Sequence, residues 1–242
     1  MKVLVAGASG ATGRQLVQQL LERGQEVVAV VRSAGSLPEK LRKHENLSVV
    51  QASLLDLSDA ELAQLVEGCG AVASCLGHNP TLKGMYGHPR RLVTDATRRL
   101  CTSIRANRSQ APVRFVLMNT VGNTNRDLDE QLSTGDKIVT GILRLVLPPQ
   151  ADNEQAAEYL RTAIGQNNVE VEWVAVRPDS LLNADTVTEY TVHPSPTRSP
   201  IFDSGQTSRI NVGHFMAELI TDDATWKKWK GQMPVIYNKT AS

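Results

Sequence analysis

Short apolar runs and amphipathic stretches alternate along the chain, starting at residue 2. Residues 2–6 are rich in Val and Leu with no turn residue, the pattern of a strand buried on both faces. Glycines follow at 7, 10 and 13, and residues 11–21 then carry apolar positions at helical spacing. The same rhythm predicts strands at 26–31, 47–52, 71–77, 113–118 and 171–176. Between them it predicts a short polar helix at 36–44 and a helix opened by the Ser58-Asp59-Ala60-Glu61 capping box, with Leu62, Leu65 and Val66 facing inward. Further helices are predicted at 89–108, at 136–147 (stopped by Pro148-Pro149), at 153–164 and at 211–221. From 179 to 209 the pattern loosens around Pro194, Pro196 and Pro200, with 190–193 as a small outlying strand, and 235–237 reads as an edge strand. Strands alternating with helices predict a doubly wound parallel α/β sheet, with 179–209 as a small C-terminal substrate cap or, alternatively, a long surface loop. The 242 residues suit a single domain, 1–242, with a sizeable core.

Composition narrows the partners. A net charge of +1 gives no reason to invoke nucleic acid or an anionic membrane. Hydrophobic content of 41% with 4% aromatics fits a soluble, aliphatic-rich protein. No apolar run approaches the ~20 residues of a membrane span, and the opening run is too short for a signal peptide. Cys69, Cys75 and Cys101 show no metal spacing and cannot all pair, so a reducing cytoplasm is expected. A small-molecule partner, with the chain a monomer or small homo-oligomer, fits these limits.

The glycine turn reads as an anion cradle. Unpaired amides in a helix's first turn, here from Ala11 onward, and the positive end of its dipole suit a pyrophosphate. A side chain at Gly7 or Gly10 would crowd the phosphates, and bulk at Gly13 would push the helix off the strand. Ser9 and Thr12 add hydroxyl donors. After the second strand stand Arg32 and Ser33, with no acid before Glu39. An acid there would bond the ribose of NAD, whereas a planar guanidinium accommodates the 2′-phosphate of NADP. Loops at the carboxyl ends of parallel strands line the ligand crevice, so Leu76-Gly77-His78 should pass the cofactor. Cys75, with no basic neighbour, reads as a core residue rather than a nucleophile.

Several stretches carry a resemblance: Gly7-Ala8-Ser9-Gly10-Ala11-Thr12-Gly13, Val30-Val31-Arg32, Leu54-Leu55-Asp56, Ser74-Cys75-Leu76-Gly77, Asn119-Thr120-Val121-Gly122, and Glu158-Tyr159-Leu160-Arg161 leading to Arg177-Pro178. With Thr207 to Val212, they make the chain resemble the atypical short-chain dehydrogenase/reductases of the NmrA-like and flavin- or biliverdin-reductase-like branch. The resemblance implies a Rossmann-type fold binding NADP(H), with NAD(H) as the alternative. It implies cofactor contacts from Gly7, Ser9, Gly10, Ala11, Thr12, Gly13, Arg32, Ser53, Leu54, Cys75, Leu76 and Gly77. Ser53 stands where the family usually has an acid for the adenine amino group.

The family's Tyr-x-x-x-Lys pair is missing. None of Tyr86, Tyr159, Tyr190 and Tyr237 has a lysine four residues later, and the lysine's expected position is Asn153. Thr120 aligns with the active-site serine and is a candidate to hydrogen-bond a substrate carbonyl. His78 and His193 are candidate proton donors near neutral pH, and Asp152 becomes one only if burial raises its pKa. Three readings follow. One is an NADPH-dependent reductase of an acceptor needing little protonation from protein, such as a flavin, quinone or related conjugated carbonyl. The second is a catalytically silent NADP(H)-sensing regulator. The third is an NAD-using epimerase or dehydratase, against which Arg32 and the short C-terminal region argue.

Overall fold

A computed structural model describes residues 1–79, 81–128, 130 and 133–239. Its strands are β1 (Lys2–Ala6), β2 (Glu26–Val31), β3 (Leu47–Gln51), β4 (Cys69–Ser74), β5 (Val113–Met118), β6 (Val171–Pro178), β7 (Ser180–Leu182), β8 (Tyr190–His193), β9 (Gln206–Ser208) and β10 (Val235–Asn238). Eight of them form one sheet in the order β3-β2-β1-β4-β5-β6-β10-β8. All neighbours in it run parallel except β10 and β8. The chain moves outward from β1 to β3, then returns to β4 on β1's other side. That reversal opens a crevice at the carboxyl ends of β1 and β4.

The helices are α1 (Ala11–Glu22), α2 (Glu39–Arg42), α3 (Asp59–Val66), α4 (Leu82–Tyr86), α5 (Leu92–Ala106), α6 (Thr134–Val146), α7 (Pro148–Tyr159), α8 (Arg209–Thr221) and α9 (Asp223–Trp229). On one face of the sheet, Leu16, Val17 and Leu20 of α1 join Phe215 and Leu219 of α8 and Trp226 of α9. On the other, Leu62, Leu100, Ile104 and Leu160 cover Phe115 and Trp173. Burial on both faces explains why the central strands are continuous Val, Ala and Leu runs with no polar alternation. The Ser58 capping box at α3 is present.

Several sequence expectations need correcting. The segment at 190–193 is not an outlying strand but pairs antiparallel with β10, Val235 opposite His193 and Asn238 opposite Tyr190. In consequence β10 is not an edge strand and lies between β6 and β8. Prolines around 194–200 hid β8's partner, which is supplied from forty residues on. Pro148 and Pro149 open α7 rather than merely closing α6, because proline at a helix's first positions gives up an amide that had no partner. Residues 36–44 hold a 3₁₀ turn and the one-turn α2. Helices α4 and α9 were not foreseen.

Arg177 ties the sheet to the segments above it. Its side chain is fully buried and bonded at every nitrogen. Nε donates to Met233 O at 2.6 Å, Nη1 to Asn123 O at 2.7 Å and Glu130 Oε2 at 3.1 Å, and Nη2 to Glu130 Oε1 at 2.6 Å and Pro194 O at 3.0 Å. Removing one partner of such a buried pair typically costs about 3–5 kcal/mol. The loop after β5, the 179–209 segment and the approach to β10 are thereby held together.

Candidate functional site

Gly7 closes β1 at φ +75°, in the left-handed region. An ideal Cβ there would lie 2.8 Å from the carbonyl carbon of Cys75, so the turn also needs glycine to pass β4's end. The turn closes through Gly10 N donating to Gly7 O at 3.0 Å, and α1 starts with Arg14 N donating to Gly10 O at 2.9 Å. A Cβ on Gly13 would stand 2.2 Å from Gly7 O, so glycine there lets α1 rest directly on the turn. Among the described residues, the amides of Ala11, Thr12 and Gly13 show no protein acceptor. They are the orphan donors that an anion at a helix start takes up.

A cavity of about 300 Å³ opens from this cradle along four successive strand ends. Gly7, Ser9 and Gly10 line it after β1, Val30, Val31 and Arg32 at β2, Ala52, Ser53 and Leu54 after β3, and Cys75, Leu76 and Gly77 after β4. Nine of the twelve residues expected at the cofactor thus face one space. Ala11, Thr12 and Gly13 do not line it. Thr12 is only 4% exposed. Arg32 is exposed, and its guanidinium makes no hydrogen bond among the described residues. A larger cavity of about 490 Å³ lies between α1 and α2 beside Leu41 and His44 and shares no lining residue with the one at the strand ends.

Sequence reasoning missed part of this lining. Asn79, Pro89 and Leu92 reach the cavity from the segment between β4 and α5. It also missed Arg99, whose Nη1 donates to Leu55 O at 2.8 Å and Leu54 O at 3.3 Å, and whose Nη2 donates to Leu57 O. Arg99 thereby fixes the loop after β3 that carries Ser53 and Leu54. An arginine among many on a polar helix face gave no signal of this. Cys75 lines the cavity, yet burial pushes its thiol up to about 12, as suits a packing residue rather than a nucleophile.

His78 and Thr120 follow β4 and β5. The His78 side chain is 3% exposed, with Nε2 2.8 Å from Asp152 Oδ2 and Nδ1 3.1 Å from Gly84 O. Both ring nitrogens therefore have hydrogen-bond partners within the protein. Asp152 is also taken up, accepting from Val93 N at 2.8 Å and Thr94 N at 2.9 Å at the start of α5. Thr120 Oγ1 accepts from Gly122 N at 3.3 Å, which leaves its own proton unspent. At the lysine position, Asn153 gives its carbonyl to Asn119 Nδ2 at 2.9 Å, and its side chain turns back to Pro149 O at 3.0 Å. One turn away, Gln150 Nε2 donates to Gly122 O at 2.9 Å and Glu154 Oε1 at 3.1 Å. His193 lies in β8, at the far edge of the sheet from the cradle strand β1.

Tyr190 donates to or accepts from His214 Nδ1 at 2.8 Å, and burial pushes its phenol up to about 12. Burial also raises Tyr159 and Tyr237. Tyr86 Oη donates to Val146 O at 3.1 Å.

A family model described as NAD(P)H-binding matches residues 7–223. An uncharacterized chloroplastic protein of Arabidopsis thaliana is 36% identical over 80 residues, 33% of this chain and 28% of that protein. The chain's matches span less than a third of the length of such curated relatives. Solved structures share the fold across the whole chain. The oxidoreductase ylbE of Lactococcus lactis aligns at TM-score 0.71 and 16% identity, over 100% of this chain and 93% of that one. A short-chain dehydrogenase/reductase of Veillonella parvula in complex with NADP aligns at 0.70 and 15%, over 98% and 94%. An anaerobillin reductase of Escherichia coli O157:H7 aligns at 0.68 and 18%, over 100% and 99%.

Proposed function

Because the chain belongs to the NAD(P)H-binding family, we propose that it is an NADPH-dependent reductase of a small conjugated acceptor, a flavin, quinone or related carbonyl. The observation that carries the cofactor half is the glycine cradle with Arg32 unpaired at the β2 end of the same cavity. The residues fit a dinucleotide: orphan amides of α1 for the diphosphate, Ser53 and Leu54 for the base, Arg32 for the 2′-phosphate. When bound, that cofactor supplies two reducing equivalents, and the protein's task is to position and to exclude water. The Veillonella neighbour's complex with NADP and the Escherichia neighbour's reductase activity support the same reading.

The acceptor class follows from what the chain lacks. His78 and Asp152 are spent on each other and on α5, and Asn153 stands where the family's lysine would. Thr120 retains a hydroxyl proton able to hydrogen-bond an acceptor carbonyl. An acceptor that takes its proton from water suits this site better than an isolated ketone. Titration with NADPH and NADH, followed by turnover on a panel of flavins, quinones and conjugated carbonyls, tests the proposal. NADPH oxidation with at least one acceptor is expected; tight NADPH binding with none would favour an NADP(H)-sensing regulator. That second reading draws on the same engaged His78 and Asp152.

A further inference from the structure

Helix α6 carries exposed apolar side chains. Thr140, Gly141 and Arg144 line a polar cavity of about 220 Å³ with Asn123 and Glu154. Arg144 Nε bonds Glu154 Oε2 there at 3.0 Å. On the solvent side, Ile142 and Val146, one turn apart, are 55% and 54% exposed. Helix α4 adds Leu82 and Tyr86, also one turn apart, at 76% and 42%. The Tyr86 hydroxyl on Val146 O joins the two helices. Phe202, 68% exposed, packs at the start of α6, 2.9 Å from where a Cβ on Gly135 would stand. Isolated exposed apolar residues are ordinary, whereas a run of them across two joined helices marks a surface that something covers.

Among the described residues, the exposed charges of α4, α6 and the segment between α4 and α5 that lack an ion-pair partner are basic. The sequence from 76 to 94 contains Lys83, Arg90 and Arg91 and no Asp or Glu. Arg90 and Arg91 are exposed. In α6 the sole acid is Asp136, which is buried and takes the hydroxyls of Ser133 and Ser199. From neighbouring elements, Glu154 is held by Arg144, and Asp203 by Arg198 at 2.6 Å. A second copy of the chain would need a self-complementary surface, and among the described residues this one offers cations with no free acid to meet them. We propose that the α4–α6 face rests on an anionic lipid bilayer, with Leu82, Tyr86, Ile142, Val146 and Phe202 in the interface and Arg90 and Arg91 toward the headgroups. Amphipathic helices with basic borders bind bilayers in this way. The association is peripheral: no described helix is long and apolar enough to cross a membrane. The proposal stands apart from the reductase reading.

Sedimentation of the full chain with vesicles tests it. Binding to phosphatidylcholine vesicles containing phosphatidylglycerol is expected, with little to phosphatidylcholine alone and a marked loss in high salt. Ile142→Asp with Val146→Asp should lower vesicle binding by about tenfold or more while leaving NADPH affinity unchanged. Should that pair not fold, Leu82→Ser with Phe202→Ser carries the same test. Arg90→Glu with Arg91→Glu should also release the protein from anionic vesicles. Absence of wild-type binding, or full binding by the aspartate pair, overturns the proposal. So does a concentration-dependent dimer abolished by Ile142→Asp, which would assign the face to a second copy. If the glutamate pair loses NADPH affinity but keeps vesicle binding, the arginines belong to the cofactor and the proposal falls.

Discussion

Asp152 holds His78 at 2.8 Å and, with the same carboxylate, caps the first amides of α5. A residue of α7 thus locks the loop after β4 to the helix that follows it. Asp152→Ala leaves two amides and an imidazole without their acceptor, so a loss of about 3 kcal/mol is expected in chemical denaturation. His78→Gln should reduce turnover by less than about tenfold with NADPH affinity intact. A drop of several hundredfold at unchanged affinity would make His78 the proton donor after all.

Arg32→Ala should weaken NADPH binding by about 10–100-fold, the scale of a charge-assisted pair with phosphate. NADH binding should stay within about twofold. Isothermal titration with both cofactors distinguishes this from a general loss, since equal weakening would show that Arg32 does not read the 2′-phosphate.

Gly13→Ala places a methyl 2.2 Å from Gly7 O, an approach that backbone cannot accommodate without moving α1. Loss of NADPH binding together with a lowered melting temperature is expected. Gly141→Ala, where an added Cβ meets nothing within 4 Å, serves as the control and should leave both unchanged.

His214 supplies a pH dependence unrelated to the site. Burial first, then the Arg23 charge, lowers its pKa from 6.5, while Glu218 opposes them. The unfolded chain therefore binds the proton more readily. Stability is fully present above about pH 6.5 and is lost as pH falls through the depressed folded value. His214→Gln should flatten the profile in urea melts on the acid side, and an unchanged slope would assign it to other groups.

The parallel core was legible because strands buried on both faces are written as unbroken aliphatic runs, and Lys2–Ala6 followed by three spaced glycines has few other uses. Arg32, Ser53 and Gly77 line one cavity because strand ends in such a sheet converge on one crevice. What escaped depends on partners distant in sequence. Nothing near Asp152 announces that it reaches back to residues 78, 93 and 94, and Arg99's grip on residues 54–57 is equally remote. The cluster at α4 and α6 escaped for another reason: a chain-wide balance of +1 averages a local run of cations against acids elsewhere. Periodicity predicts that α6 has an apolar side, but not which side turns toward the protein.

Since β8 shields the flank of β10, the 179–209 segment cannot be exchanged as a detachable module. A chimera carrying another relative's loop in its place would bare the amides of Val235 to Asn238 as an open template for intermolecular pairing. Redesign of that segment is therefore better confined to the stretches on either side of residues 190–193, with that short ribbon left as it is.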